Sequence, residues 1–290
     1  MNGEASPVVP PVVPPVVPPG RSPVIVAVAP NGARKTKADH PAVPITAEEI
    51  AATAAACREA GAAMIHLHVR DADGRHSLEV ETYRAATAAV RAAVGRDLVV
   101  QVTTEAVGRY RPEEQMRVVR ALRPEAVSLA VREIVPDEAA EPEAAAFLAW
   151  VEAEGILPQY ILYSDDDLRR FDDLIARGVV PGERQLVLFV LGRYTKGQTS
   201  EPRDLLPFLD ANSRDHLWSV CAFGPRETAC AVAAAALGGH VRVGFENNLH
   251  LPDGTLAADN AALVTAVAEG LSAIGCRPAS AAEARDMMGA

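Results

Sequence analysis

Residues 64–71 read Met64-Ile-His-Leu-His-Val-Arg-Asp71, an apolar run in which two histidines recur at a spacing of two. In an extended chain, side chains at i and i+2 leave the same face. His66 and His68 therefore project together, and Ile65, Leu67 and Val69 form a wholly apolar opposite face. Such a face must be covered by another layer, and short apolar strands covered by helices are the signature of a parallel sheet. The rest of the chain carries the same alternation. Candidate strands lie at 24–29, 64–69, 98–103, 126–130, 160–163, 186–191, 217–222 and 241–245. Alanine-rich amphipathic stretches follow at 47–60, 79–94, 111–122, 140–154, 165–177, 203–211, 225–237 and 260–274. Eight strand–helix units in this length predict an α/β (β/α)8 TIM barrel, not an open doubly wound sheet. No Gly-x-Gly-x-x-Gly follows the first strand, so a dinucleotide-binding reading fails.

Before this domain, residues 8–19 repeat Val-Val-Pro-Pro in register. Proline at this density removes backbone donors and fixes φ, which predicts a disordered, extended Pro/Val-rich tail over 1–22 and a single barrel domain over 23–290. Acidic side chains outnumber basic ones, 38 to 28, for a formal charge of −10. That balance argues against nucleic acid as a partner, because phosphate binding needs clustered Lys and Arg. No run of about 18 apolar residues occurs, so no membrane span is expected. The N-terminus lacks the basic and continuous apolar regions of a signal peptide, which makes the cytoplasm the expected location. Cys57, Cys221, Cys230 and Cys276 show no Cys-x-x-Cys spacing and read as reduced, mostly buried thiols.

In (β/α)8 barrels the active site lies at the C-terminal ends of the strands, where His66 and His68 fall. A histidine pair is either the start of a divalent-metal site or one structural histidine with a polar neighbour. The eighth strand bears on that choice. In Val241-Arg-Val-Gly-Phe-Glu246, alternation sends Arg242 and Glu246 to the face opposite Val241, Val243 and Phe245. One reading of the two charges is a simple ion pair. Yet strand 8 neighbours strand 2 across strand 1, so Glu246 can complete a two-histidine, one-carboxylate site with open positions, as catalytic zinc requires. His216 and His240 fall at strand beginnings, while His40, His76 and His250 fall in loops, which argues against a larger metal cluster. Strand 1 ends in a polar, basic loop, 30–41, with Arg34, Lys35 and Lys37, and strand 3 ends in Gln101-Val-Thr-Thr-Glu105. Hydroxyls and basic groups beside a metal suit an oxygen-rich, anionic substrate.

Several motifs together resemble the β-keto acid cleavage enzymes, a family of zinc-dependent (β/α)8 proteins. They are Asn31-Gly32-Ala33, 37–41 (Lys-Ala-Asp-His-Pro), 66–71, 101–104, 242–248 and the closing Ala282-Glu-Ala-Arg285, spread from about Val24 to the C-terminus. The resemblance implies condensation of a 3-keto acid with acetyl-CoA to give acetoacetate and a new acyl-CoA. It implies His66, His68 and Glu246 as Zn²⁺ ligands, and Arg242 beside the reacting carboxylate. Thr103 would stand where a serine often hydrogen-bonds the substrate, with Asn31, Arg34 and Thr104 among the substrate contacts. Homo-oligomeric assembly is also implied.

Three positions depart from the family pattern. Arg34 replaces a glutamate of members that process a cationic amino substrate, which predicts a neutral or acidic 3-keto acid here. Asn247 replaces the usual aspartate after the ligand glutamate, leaving an amide at a catalytic position and Arg242 without an acidic partner. Strand 5 carries Gln159-Tyr-Ile-Leu-Tyr163 in place of glutamates. Two alternatives stay open: a metal-dependent aldolase or lyase acting on a β-keto or β-hydroxy acid without CoA, and a non-catalytic, metal-dependent keto-acid binding protein.

Overall fold

The computed structural model describes residues 22–289. Eight parallel strands close into a barrel, neighbouring one another in chain order: β1 Val26–Val28, β2 Met64–Leu67, β3 Val99–Thr103, β4 Ala126–Ala130, β5 Leu157–Leu162, β6 Leu186–Leu191, β7 Leu217–Ala222 and β8 His240–Val243. Helices α1 Ala47–Glu59, α2 Val80–Val94, α3 Pro112–Leu122, α4 Glu141–Ala153, α5 Asp165–Ala176, α6 Leu206–Ala211, α7 Glu227–Ala236 and α8 Asn260–Ala273 follow the strands in turn. This is the (β/α)8 barrel that the alternation predicts. Among the described residues, no helix is long and apolar enough to cross a membrane.

The main core lies between strands and helices, where Val26, Val28, Ile65, Leu67, Val100, Val102, Val241 and Val243 present their outward faces. Inside the barrel the layers differ. Ile25, Ala27, Met64 and Val99 fill the N-terminal end, which a further helix, Ala281–Met288, closes from below. Ile161, Leu188, Val190, Cys221 and Phe223 form one wall towards the other end. Between them lie the polar side chains of Gln101, Gln159 and Ser219, all buried.

Several predicted boundaries shift for identifiable reasons. The stretch 24–29 divides at Ile25: Ser22–Val24 leaves the barrel to pair in parallel with Cys276–Pro278, and only Val26–Val28 joins β1. Ser22, assigned to the tail, is thus part of a strand; the rest of the tail lies outside the described residues. β2 stops at Leu67, and Val69–Arg70 begins an antiparallel hairpin with His76–Ser77. β5 begins three residues before its expected start. β8 ends at Val243, not at 245, because Gly244 takes φ +134, where an added Cβ would sit 2.5 Å from the Ala29 carbonyl oxygen. All four cysteines are free, three of them buried.

Candidate functional site

The turn after β8, and not continued strand alternation, aims Glu246 into the barrel mouth. Gly244 allows that turn, and the Glu246 amide returns to β1 by donating to the Ala29 carbonyl at 3.0 Å. Gly32 makes room for it: φ there is +59, and an added Cβ would lie 2.6 Å from Glu246 Cγ. The loop bearing Gly32 is held from the hairpin after β2 by the buried Arg70 guanidinium. Its Nη2 donates to the carbonyls of Gly32 at 2.5 Å and Lys35 at 2.8 Å.

His66 and His68 do share a face. Their Nε2 atoms lie 3.1 Å apart, and Glu246 Oε2 lies 3.2 Å from His68 Nε2 and 3.7 Å from His66 Nε2. The three donor atoms fall within 4.8 Å of one another. Glu246 Oε2 is buried with no hydrogen-bond partner among the described residues, while Oε1 accepts from Arg242 Nη2 at 3.0 Å. The Arg242–Glu246 pair and the histidine–carboxylate cluster therefore coexist, one oxygen serving each. Burial, and then the Arg242 charge, hold His66 well below the usual histidine range. Burial alone would raise the Glu246 carboxyl, but Arg242 and His68 pull it well below the usual carboxylate range. Two imidazoles and an ionised carboxylate oxygen converging in this way form a donor set suited to a divalent cation.

The other site candidates separate into two groups. Thr103, Thr104 and Arg242 line the cavity at the barrel mouth together with Glu246. The Thr103 hydroxyl accepts from the Glu105 amide at 3.1 Å, and Thr104 donates to the Ser128 carbonyl at 2.9 Å. Arg34 lines the outer part of the mouth, where its Nη1 lies 3.3 Å from Glu105 Oε1 with the side chain 58% exposed. Its fork is thus partly engaged. Asn31 turns its amide nitrogen to the Pro44 and His68 carbonyls, leaving Oδ1 buried and unpartnered. Asn247 turns its Nδ2 to Glu227 Oε1 at 3.2 Å. The acid missing at 247 has a neighbour in Glu227, which is buried and also accepts from Gly244 N and Asn248 Nδ2. Burial raises the Glu227 carboxyl to about 8 against the pull of those donors.

Sequence reasoning missed Glu105, Arg193, Tyr163 and Phe223, which line the mouth beside the candidates. Arg193 Nη2 lies 3.5 Å from Glu105 Oε1, and its guanidinium sits over the Phe223 ring, 5.1 Å from the centroid. Position just beyond β6 was the signal that could have found it, since strand C-terminal ends build the site. His76, read as a loop residue, is buried in the hairpin strand, with its ring 5.3 Å from that of His68 and Nε2 bonded to the Glu105 carbonyl. His216 and His240 lie at the opposite end, where their Nδ1 atoms accept from Gln185 N and Ile25 N.

Fold and site together define a (β/α)8 barrel with a two-histidine, one-carboxylate cluster at its catalytic end. The sequence matches the beta-keto acid cleavage enzyme family over residues 23–289, and the chain belongs to that family. It is 31% identical over 274 residues to 3-keto-5-aminohexanoate cleavage enzyme of Acetoanaerobium sticklandii, covering 92% of this chain and 98% of that protein. It is also 31% identical over 276 residues to 3-oxoadipate:acetyl-CoA acetyltransferase of Cupriavidus necator, covering 92% and 95%. The apo structure of ObcA shares the fold at a TM-score of 0.68 and 19% identity, covering 86% of this chain and 66% of that one.

Proposed function

We propose that this protein condenses a neutral or acidic 3-keto acid with acetyl-CoA, giving acetoacetate and a new acyl-CoA, at a zinc site held by His66, His68 and Glu246. The observation that carries the reading is the convergence of those three donors, with Glu246 Oε2 left unpartnered, in a chain of this family. Bound there, zinc would supply Lewis acidity towards a substrate carbonyl. Arg242 binds the keto-acid carboxylate, since it is buried and its Nε has no partner among the described residues. Thr103 keeps its hydroxyl hydrogen available for the substrate, because its oxygen already accepts the Glu105 amide. Asn31 Oδ1 and the Arg34–Glu105–Arg193 cluster border the same mouth, and Ile161, Val190 and Phe223 give the substrate's side chain an apolar wall. Thr104 shapes the cavity beside Ser128, and Asn247, next in sequence to Glu246, donates to Glu227.

No protein nucleophile enters this reading. Cys221 is the thiol beside Arg242, whose Nη2 lies 3.3 Å from its Sγ, yet burial pushes that thiol up to about 11. It is therefore a poor thiolate at neutral pH. Homo-oligomeric assembly and a cytoplasmic location belong to the same reading and rest on family membership. The test is turnover of a panel of 3-keto acids by zinc-loaded protein with and without acetyl-CoA. Strict dependence on acetyl-CoA supports the proposal. Turnover without CoA identifies the aldolase or lyase alternative, and binding without turnover identifies the binding protein.

A further inference from the structure

The interior of a (β/α)8 barrel is ordinarily filled by layers of branched apolar side chains from alternate strands. Here one layer is polar. Gln101 on β3, Gln159 on β5 and Ser219 on β7 are 0%, 5% and 5% exposed. Buried amides and hydroxyls are costly unless every donor and acceptor is matched, so this layer requires a reason. Its hydrogen bonds supply one. His66 Nδ1 lies 2.8 Å from Gln101 Oε1, Gln101 Nε2 donates to Gln159 Oε1 at 3.1 Å, and Gln159 Nε2 donates to Ser219 Oγ at 2.9 Å. Ser219 Oγ ends the chain by donating to the Val187 carbonyl at 3.2 Å.

That last link sets the direction of all the others. A backbone carbonyl can only accept, so Ser219 spends its single hydrogen on Val187 and must accept from Gln159. Gln159 then has only its oxygen to offer Gln101, and Gln101 has only its oxygen to offer His66. An acceptor facing Nδ1 places the imidazole hydrogen there, which leaves the lone pair on Nε2. That nitrogen is the one 3.1 Å from His68 Nε2 and 3.7 Å from Glu246 Oε2. The reversed chain would forfeit the Ser219–Val187 bond and turn an N–H into the candidate metal site.

We propose that Gln101, Gln159 and Ser219 are positioning residues, a one-way hydrogen-bond chain across the barrel that holds His66 as the Nδ1–H tautomer and keeps Nε2 open to the metal. The inference rests on the reading of His66 as a ligand. It assigns a task to two glutamines and a serine of which two, Gln159 and Ser219, make no hydrogen bond to a candidate ligand. Partners of this kind behind metal-bound histidines are worth about 10–100-fold in metal affinity.

The test measures zinc affinity by chelator competition, together with the His66 tautomer from long-range ¹H–¹⁵N spectra of the metal-free protein. Gln101→Leu is expected to weaken zinc binding by about 10–100-fold and to mix the two tautomers. Gln101→Glu, which still presents an acceptor to Nδ1, is expected to stay within about threefold of wild type. Gln159→Leu, which removes the anchor of Gln101 without touching His66, is expected to weaken binding by at least about threefold with a partial tautomer change. It also serves if Gln101→Leu does not fold. Wild-type affinity in Gln159→Leu, or His66 protonated at Nε2 in the metal-free wild type, overturns the proposal. Wild-type protein that binds no zinc while His66 is still the Nδ1–H tautomer would sink the metal reading and leave the chain itself standing.

Discussion

Gly32→Ala is the substitution that most sharply separates the proposed metal site from the barrel that carries it. Two effects follow from its position. The left-handed backbone at φ +59 costs an L side chain about 1–2 kcal/mol. The added methyl would lie 2.6 Å from Glu246 Cγ and 3.1 Å from Glu246 Cβ, roughly 1 Å inside ordinary carbon–carbon contact. Overlap of that size costs about 1–3 kcal/mol when the surroundings give way. The loop cannot readily lift, because Arg70 holds the Gly32 and Lys35 carbonyls, so Glu246 is the part that yields. Metal sites tolerate ligand shifts of about 0.2 Å, and a displaced Glu246 should lower zinc affinity by at least about 100-fold, beyond the usual effect of a supporting residue. Gly74→Ala is the matched control, since φ there is +75 but nothing lies within 4 Å of an added Cβ. It should lose about 1–2 kcal/mol of stability and none of its zinc affinity. Chelator competition and thermal melting of the metal-free proteins measure the two effects apart. Equal zinc affinity in Gly32→Ala and Gly74→Ala would refute the role given to Gly32 and the placement of Glu246 against it.

Glu227, with its carboxyl raised to about 8 by burial, keeps a proton when folded that the unfolded chain releases near pH 4–5. Its contribution to stability is therefore lost as pH rises between those values, by on the order of a few kcal/mol; Glu227→Gln should flatten the decline in melting temperature from pH 5 to pH 8, and an unchanged slope would contradict the assignment. Arg193, with its side chain 18% exposed, should matter more to the substrate than Arg34 at 58%. Arg193→Ala is expected to lower kcat/KM for the preferred keto acid by about 10–100-fold, and Arg34→Ala by less than about tenfold because exposed pairs are weak; the reverse order would make Arg34 the residue that reads the substrate. Cys221→Ser should retain activity within a few-fold, because a thiol raised to about 11 is not the nucleophile. Loss of all turnover in that variant, with zinc still bound, would bring a covalent step back into consideration.

The barrel was legible because eight apolar strands and eight amphipathic helices each bury a face, and burial imposes a period on the sequence. The pair His66 and His68 was legible for the same reason. Glu246 was reached by strand alternation, although β8 ends at Val243 and the turn at Gly244 does the aiming. What stayed hidden has no period to show. The hairpin Val69–Arg70 with His76–Ser77 has two-residue strands, too short for any alternation, so His76 looked like a loop residue. The closing helix Ala281–Met288 lies beyond the last expected unit, where counting strand–helix pairs gives no reason to look. Glu227 acts on Asn247 and Asn248 from a neighbouring helix about twenty positions away, a contact that only folding creates. Gln101 and Gln159 each look like one polar residue in an apolar strand, and their purpose appears only when β3, β5 and β7 face one another across the barrel.

The proposed chemistry depends on zinc at His66, His68 and Glu246. Zinc X-ray absorption spectroscopy of the purified protein, with zinc quantified per chain, tests it most directly. The expected result is about one zinc per chain, bound by two imidazole nitrogens and a carboxylate oxygen at about 2.0–2.2 Å, with the remaining coordination left to water or substrate. The His66→Ala/His68→Ala variant is expected to lose that signal. Full zinc content in the double variant, or a ligand shell containing sulfur, would contradict it.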